Sequence, residues 1–557
     1  MENMQDLVGR RYDEWSKKVT DPAVLAELAD MRGDEKKKTD CFYKELEFGT
    51  GGLRGTLGAG TNCLNIYTIK KVTQGICGYM KDHGLKKAAL CCDSRINSEL
   101  FKRTAAAVFA AAGFFVVMTG ELMPVPFLSY LTRETGSDIG VMITASHNPK
   151  QYNGYKVYGA DGCQLTDAAA AEMTGYIAAV DPFEVKADDA AAYLAAGKIE
   201  YAPDALAEAF LTKVQAENLD GGAGLSVVYS PLNGAGYRMV PEILRRVGVE
   251  KIDIVPEQAY PDGNFTTCPY PNPEKPAALE LGLRLAQKTG ADILIATDPD
   301  CDRMGCAVLD KGQYTLLSGN EVGVLLTDYL LSRRRALGIL PDRPVLVKTI
   351  VTTDLALKIA GEYGAEVIDV LTGFKYIGDV IGKLEQRGEA SRFVLGFEES
   401  YGYSSGTYVR DKDGVDAAML TAAMAAYYKR QGLTLKDRID QIYETYGHYE
   451  HRLLSFEFPG AAGSQKMREL LKRLREAAPA AVGGLAVTDV TDYLTQTKFE
   501  LPKADVLSYT LAGGCKLIVR PSGTEPLIKT YLTVNKTPSE NAAIFKRIQA
   551  ELDRLFA

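Results

Sequence analysis

Residues 87 to 118, KAALCCDSRINSELFKRTAAAVFAAAGFFVVM, hold a short apolar run, a polar turn, an alanine-rich stretch, a glycine, and then a β-branched and aromatic run. Apolar runs of strand length on either side of a helix-forming stretch that stops at Gly113 predict a β-α-β unit. Such a unit imposes parallel strands with helices packed on the sheet, because a parallel neighbour is reached only by a crossover. The pattern recurs. SDIGVMITASHN (137 to 148), ADILIATDPDCDR (291 to 303) and SRFVLGFEESYGY (391 to 403) each carry an apolar strand straight into a polar loop. Sheets of this kind bind ligands beyond the carboxyl ends of their strands, so loops from three α/β units can converge on one cleft.

The chain has 557 residues, more than one hydrophobic core organises. A soft length prior allows three or four domains. Polar or alanine-rich breaks divide it. VDPFEVKADDAAAYLAAGK (180 to 198) separates the first unit from a second that carries LSVVYSPLNGAG. GQYTLLSGNEVG (312 to 323) opens a third, and GHYEHRLLSFEFPGAAGSQ (447 to 465) opens a last segment leading to KLIVRPSGTEPLIKTYLTV (516 to 534). The expected domains are therefore 1–200, 201–312, 313–446 and 447–557.

With 64 basic and 72 acidic residues the net charge is −8, which supplies no broad basic footprint for nucleic acid or an anionic membrane. Any phosphate-binding site must be local. The N-terminus has no apolar core of a secretory signal. The longest apolar run, Ala105 to Met118, has 14 residues, short of the ~20 that span a bilayer. Ten cysteines are scattered without C-x-x-C spacing, which fits reduced thiols in the cytosol better than a disulfide framework.

Four loops have the equipment for chemistry. Asp298, Asp300 and Asp302 stand at i, i+2 and i+4 after an apolar run. Three such carboxylates repel one another unless a divalent cation sits between them, and the other reading is an acidic solvated turn. The EF-hand pattern fails, because Arg303 and Leu309 stand where it needs Gly and Glu. Ser146 ends a strand beside His147; adjacent side chains of an extended stretch point to opposite faces, so His147 is not expected as the direct base of Ser146. A plain serine turn is the alternative. Lys156, ten residues on, is placed to bring a positive charge back toward the serine or simply to sit on the surface.

Arg520, Ser522, Gly523, Thr524 and Lys529 gather a guanidinium, two hydroxyls, a glycine-freed backbone and an ammonium, which suits a phosphate as well as an ordinary turn. Glu398 and Ser400 offer an acceptor and a donor suited to adjacent sugar hydroxyls, or a surface loop. His448 and His451 lack a third partner and read as solvated or capping residues. No P-loop is present and GTGGLRG does not satisfy G-x-G-x-x-G, so nucleotide binding has little support.

Taken in order, GTGGLRG (49 to 55), TASHNP (144 to 149), DPDCDR (298 to 303), TGFK (372 to 375), FEESYG (397 to 402) and RPSGTEP (520 to 526) make the chain resemble the α-D-phosphohexomutases, and among them the phosphoglucomutase/phosphopentomutase-like branch. The resemblance implies an α/β fold of three related α/β domains with mixed or parallel sheets, plus a C-terminal α+β domain, around a central cleft. It implies that Ser146 carries a transferable phosphoryl group and that Asp298, Asp300 and Asp302 hold Mg²⁺ together with it. Arg54, His147 and Lys156 match positions that stabilise charge and move protons there, with Lys156 and His147 both open as general base. Arg303 matches a contact to the active-site phosphate or its surroundings, Lys375 a third-domain ligand loop, and Glu398 and Ser400 the sugar-binding loop. Arg520, Ser522, Gly523, Thr524 and Lys529 match a clamp for the distal phosphate.

The implied activity interconverts glucose 1-phosphate and glucose 6-phosphate through a phosphoserine enzyme and a bisphosphate intermediate. Its implied cofactors are Mg²⁺ and glucose 1,6-bisphosphate, its partners small sugar phosphates with no nucleic acid or membrane, and its location the cytoplasm. Phosphomannomutase, phosphopentomutase and glucose 1,6-bisphosphate synthase activities use the same parts, and a silent sugar-phosphate-binding paralogue is the reading outside catalysis. Lys529 stands where many members carry Arg, Cys301 lies inside the acidic loop and Tyr401 inside the sugar loop. These departures leave the sugar preference open.

Overall fold

Strands buried on both faces are mostly apolar, and three of the runs singled out above carry a strand that is buried at every residue. The computed structural model describes residues 3–49, 51–458, 460–495, 501–522 and 527–556. The chain divides into two units, Met1–Val322 with Phe374–Thr434, and Gly323–Gly373 with Leu435–Ala557.

In the first unit, β1 (Leu53–Thr56), β2 (Lys87–Cys92), β3 (Phe115–Met118), β4 (Ile139–Ile143), β5 (Tyr152–Gly159) and β6 (Ile199–Tyr201) form one sheet in the order β1-β5-β4-β2-β3-β6. β2 runs parallel to β3 and β4, and β5 returns antiparallel to β4. Every residue of IGVMI in β4 is buried. The expected β-α-β unit is present: helix Ser98–Ala111 crosses between β2 and β3, and Gly113 ends it at φ 97, a conformation that a side chain would resist. Three N-terminal helices, Met4–Lys18, Pro22–Asp30 and Glu35–Phe42, build a smaller core around Trp15, Phe42 and Tyr67 that the sequence reading did not distinguish from the first domain.

The second sheet comprises β7 (Ser226–Ser230), β8 (Lys251–Ile254), β9 (Ile293–Thr297), β10 (Met304–Asp310) and β11 (Gln313–Leu317), in the order β11-β10-β9-β7-β8. All five residues of β9 are buried. Lys311 and Gly312 both have positive φ, the two-residue turn whose twist matches a hairpin. The turn returns β11 antiparallel onto β10, so this sheet runs on to Leu317. Of the segment expected as a third domain, β12 (Val345–Thr349) and β13 (Glu366–Val370) pair in parallel within the second unit. β14 (Phe393–Glu398) and β15 (Gly402–Ser404) pair antiparallel within the first, which also holds the buried helix Gly414–Lys429.

The C-terminal part of the second unit is an antiparallel sheet of β16 (Tyr449–Glu457), β17 (Ala481–Val482), β18 (Leu485–Asp492), β19 (Leu507–Leu511), β20 (Cys515–Pro521) and β21 (Leu527–Asn535), in the order β16-β21-β20-β19-β18-β17. Helix Pro538–Phe556 buries Ile544, Ile548 and Leu552 in its core. The α+β character expected for this region is what the alternation of β21, buried at every second residue, produces.

One charge cluster ties the two segments of the second unit together. Lys348, whose side chain is fully buried on β12, contacts Asp354 at 2.9 Å and Asp369 at 2.8 Å, and Lys516 on β20 reaches the other oxygen of Asp354. Burial pushes the Asp354 carboxyl up, but Lys348 and Lys516 outweigh it and hold the group at about 2. A carboxyl lowered that far from an unfolded value of ~3.9 contributes about 2–3 kcal/mol, fully present above pH ~4 and lost as pH falls toward 2. Asp354→Asn should therefore destabilise the protein by about 2 kcal/mol at pH 7. In denaturant titrations the gap to the parent chain should shrink by about half at pH 3; a gap constant from pH 7 to 3 would contradict the ion-pair account.

Candidate active site

β4 delivers Ser146 into a loop that is gripped from outside. Ser146 has φ 51, and its N–H donates to Thr144 Oγ1 at 2.8 Å. Arg95, from the loop after β2, donates to the carbonyls of Ser146 and Asn148 through Nη2, and to those of Pro149 (3.0 Å) and Tyr152 (2.9 Å) through Nη1. Its charge is balanced by Asp93 at 3.4 Å, and the guanidinium lies 5.2 Å from the ring centre of Phe265. One buried arginine thus donates to four backbone carbonyls between Ser146 and Tyr152, which fixes the serine loop.

The left-handed turn at Ser146 overturns one expectation. In extended backbone the side chains at 146 and 147 would diverge; here Ser146 Oγ lies 3.1 Å from His147 Nδ1. The same hydroxyl donates to Asp298 Oδ2 at 2.8 Å. His147 is held well below the ordinary imidazole value, first by burial and then by Arg303 and Arg54, so it is neutral near pH 7.

β9 delivers Asp298, Asp300 and Asp302, all buried, with one oxygen of each within 4.8 Å of the others. Asp298 Oδ1 accepts from the N–H groups of Asp302 (3.1 Å) and Arg303 (3.0 Å), which closes the loop and leaves Oδ2 to the serine. Gly414 packs against this turn and donates to the Cys301 carbonyl at 3.1 Å; a Cβ there would stand 2.6 Å from that oxygen. The carboxylates do not share one environment. Asp298 is pushed well above the carboxylate range by burial and by Asp300 and Asp302. Asp302, equally buried, is pulled below it by Lys412, Lys156 and Arg303. Lys156 on β5 stands 2.8 Å from Asp300 and 3.3 Å from Asp302, and Lys412 stands 3.3 Å from Asp302. Both ammonium groups are held protonated by these carboxylates against the cost of burial.

Asp300 Oδ1 and Asp302 Oδ1 are buried without a hydrogen-bond donor. Buried carboxylate oxygens without a hydrogen bond are what a hard divalent cation takes as ligands. The residues present therefore fit a metal ion held by Asp298, Asp300 and Asp302.

The other expected residues that the structure describes divide between the two units. Arg54, on β1, donates to Asn148 Oδ1 at 3.4 Å, and Arg303 pairs with Glu274, so both flank the serine and acidic loops. Glu398, buried at the end of β14, adds to the pull on Arg303 and Lys412, while Ser400 is half-buried two residues on. Lys375 is paired with Asp167. In the second unit Arg520 on β20 stands directly opposite Lys529 on β21, and the Ser522 N–H donates to the Leu527 carbonyl at 2.8 Å. Like charges directly opposed on a ladder repel unless an anion lies between them. Gly523 and Thr524 lie outside the described residues.

Three domain families match the chain in order: phosphoglucomutase/phosphomannomutase alpha/beta/alpha domain I over residues 45–182, domain II over 204–312 and domain III over 318–446. The phosphoglucomutase of Staphylococcus saprophyticus is 34% identical over 90% of this chain and 92% of its own length. The chain belongs to the phosphoglucomutase/phosphomannomutase family. The phosphoglucomutase of Staphylococcus aureus is likewise 34% identical, over 93% of this chain and 95% of its own. Among solved structures, the phosphoglucomutase parafusin of Paramecium, in an open form, shares the fold with a TM-score of 0.68 at 17% identity, covering 92% of this chain and 95% of its own. A phosphoglucomutase/phosphomannomutase family protein of Burkholderia thailandensis also gives 0.68, at 18% identity over 91% and 96%. In this member of the family no helix among the described residues is long and apolar enough to cross a membrane.

Several residues of this mutase-family site were missed from sequence. Asp93 and Arg95 follow β2 as the other loops follow their strands, and the Asp-Ser-Arg turn carried the same signal. Lys412 belongs to the charged run Arg410-Asp-Lys-Asp413 before an otherwise apolar helix. Asp413 caps that helix by accepting from the N–H groups of Val415 (2.8 Å) and Asp416 (3.1 Å), which fixes the run beside the acidic loop.

Proposed function

We propose that the protein is a phosphoglucomutase that interconverts glucose 1-phosphate and glucose 6-phosphate through a phosphorylated Ser146 and a glucose 1,6-bisphosphate intermediate. The observation that carries this reading is the serine hydroxyl 2.8 Å from Asp298 in a buried triad of carboxylates, with Lys156 and Lys412 beside them. A binding module has no use for such a serine. Moving a phosphoryl group between two ends of one sugar without losing it to water calls for an enzyme-bound reservoir. It also calls for a second site that holds the phosphate not reacting.

Ser146 serves as the reservoir. In the forward half-reaction the free hydroxyl oxygen of the sugar monophosphate bonds to phosphorus, the bond from phosphorus to Ser146 Oγ breaks, and the bisphosphate results. The hydroxyl proton passes to a base on the enzyme, and Oγ is left to be reprotonated. The bisphosphate turns over, its other phosphorus bonds to Ser146 Oγ while its bond to the sugar oxygen breaks, the base takes the serine proton, and the sugar oxygen takes up a proton from the enzyme. His147, 3.1 Å from Oγ and neutral, is a base within reach of the serine once Asp298 is engaged elsewhere. Lys156 is an ammonium paired with two carboxylates and offsets charge on the transferring group. Asp298, Asp300 and Asp302 would hold Mg²⁺, which when bound withdraws charge from phosphoryl oxygens. Glu398 and Ser400 hold sugar hydroxyls, Lys375 contacts the ligand, and Arg520, Ser522 and Lys529 grip the distal phosphate. Turnover in a reducing cytoplasm agrees with the ten cysteines, for which no disulfide occurs among the described residues.

The test is turnover of α-glucose 1-phosphate, α-mannose 1-phosphate and ribose 1-phosphate with Mg²⁺, with and without a trace of glucose 1,6-bisphosphate. Glucose turnover ahead of the others and raised by the bisphosphate is expected. Dominant mannose or pentose turnover would move the sugar assignment, and no turnover with any of them would favour a silent binding protein.

A further inference from the structure

We propose that Asp167 is a latch on Lys375: its carboxylate holds the lysine while the site is empty of substrate and yields it to the anionic sugar ligand. The proposal rests on the reading of Lys375 as a ligand contact. Lys375 and Tyr376 stand in the first turn of helix Phe374–Gln386, and both side chains meet one carboxylate. The Lys375 ammonium pairs with Asp167 Oδ1 and the Tyr376 hydroxyl donates to Oδ2 at 3.3 Å. The ammonium also lies 4.8 Å from the Tyr376 ring centre, and its side chain is only 13% exposed. The Cys163 thiol donates to the Lys375 carbonyl at 3.3 Å, so the segment before Asp167 holds the backbone of this turn as well.

Asp167 is placed to let go. It opens helix Asp167–Ala178, where the N-terminal dipole favours an anion, and its side chain is 55% exposed, so water can take over the carboxylate once the lysine leaves. The Tyr376 hydroxyl keeps its bond to Oδ2 when Lys375 departs, which retains the carboxylate for the next cycle. An ammonium committed to a carboxylate engages a phosphate only by exchanging partners, and an ion pair whose carboxylate faces water is weak enough to make that exchange easy. Asp167 therefore competes with substrate and sets the apparent affinity of this loop.

The experiment compares steady-state kinetics with glucose 1-phosphate for the parent chain, Asp167→Asn, Lys375→Met and the double variant. Asp167→Asn is expected to lower KM by about two- to fivefold, the range open to the loss of a weak competing ion pair, with kcat within twofold. The difference from the parent should shrink at 0.5 M salt, where the pair is screened. In the Lys375→Met background Asp167→Asn should change nothing. KM unchanged or raised in Asp167→Asn, while Lys375→Met raises KM, overturns the latch and leaves the ligand contact standing. KM unchanged in Lys375→Met overturns the ligand contact itself. A lowered melting temperature in Asp167→Asn with unaltered KM assigns the pair a purely structural role and also overturns the latch.

Discussion

Asp298→Asn is expected to reduce turnover by at least about three orders of magnitude while leaving the metal-free protein as stable as the parent or more so. The substitution keeps the local hydrogen bonds. Asparagine Oδ1 can still accept from the N–H groups of Asp302 and Arg303, and Nδ2 can donate to Ser146 Oγ in place of the bond that Asp298 Oδ2 now accepts. What disappears is one of three buried negative charges, the one that burial and its two neighbours already press toward protonation. Removing it relieves repulsion in the metal-free chain and removes a ligand from the site. Thermal melts with and without Mg²⁺ separate the two effects. The parent chain should gain about 2.7 kcal/mol when Mg²⁺ is present at a hundred times its Kd, and the variant much less at the same concentration. Turnover within tenfold of the parent, or an undiminished gain from Mg²⁺, would rule out the metal assignment.

Ser146→Ala should be still more damaging to catalysis, by about four orders of magnitude or more, because no other group can serve as reservoir for the phosphoryl group. The fold should tolerate it. Alanine and serine pay a similar cost in the left-handed conformation found at position 146, and Arg95 grips backbone carbonyls that the substitution leaves in place. Sugar phosphate should bind within a few-fold of the parent by calorimetry. Incubation with bisphosphate carrying labelled phosphate should label the parent chain and not the variant. Retained turnover, or label elsewhere than Ser146, would refute the phosphoserine cycle.

Much of the site could be read in advance because its loops obey one rule. A strand buried on both faces is mostly apolar, so the residue where polarity begins marks the carboxyl end of these strands, where Ser146, Asp298 and Glu398 stand. In the antiparallel C-terminal sheet β21 alternates between buried and half-buried residues, and its register with β20 sets Arg520 opposite Lys529. Less legible was the end of the second sheet, because the Lys311-Gly312 turn that closes a hairpin has the composition of a linker.

By itself the sequence determined the α/β architecture, the order of its units and the carboxylate, hydroxyl and cationic groups at the strand ends, since these depend on local burial and periodicity. Which charges meet was decided by the tertiary structure. Lys156 reaches Asp300 across 144 residues of chain, Arg95 reaches the Ser146 carbonyl across 51, and Lys375 is held by an aspartate 208 residues away. The contact between Ser146 and His147 shows the physical reason most directly. An extended pair would have turned the two side chains apart, but hydrogen bonds from a distant buried arginine hold the loop in a left-handed turn, and local propensity yields to them.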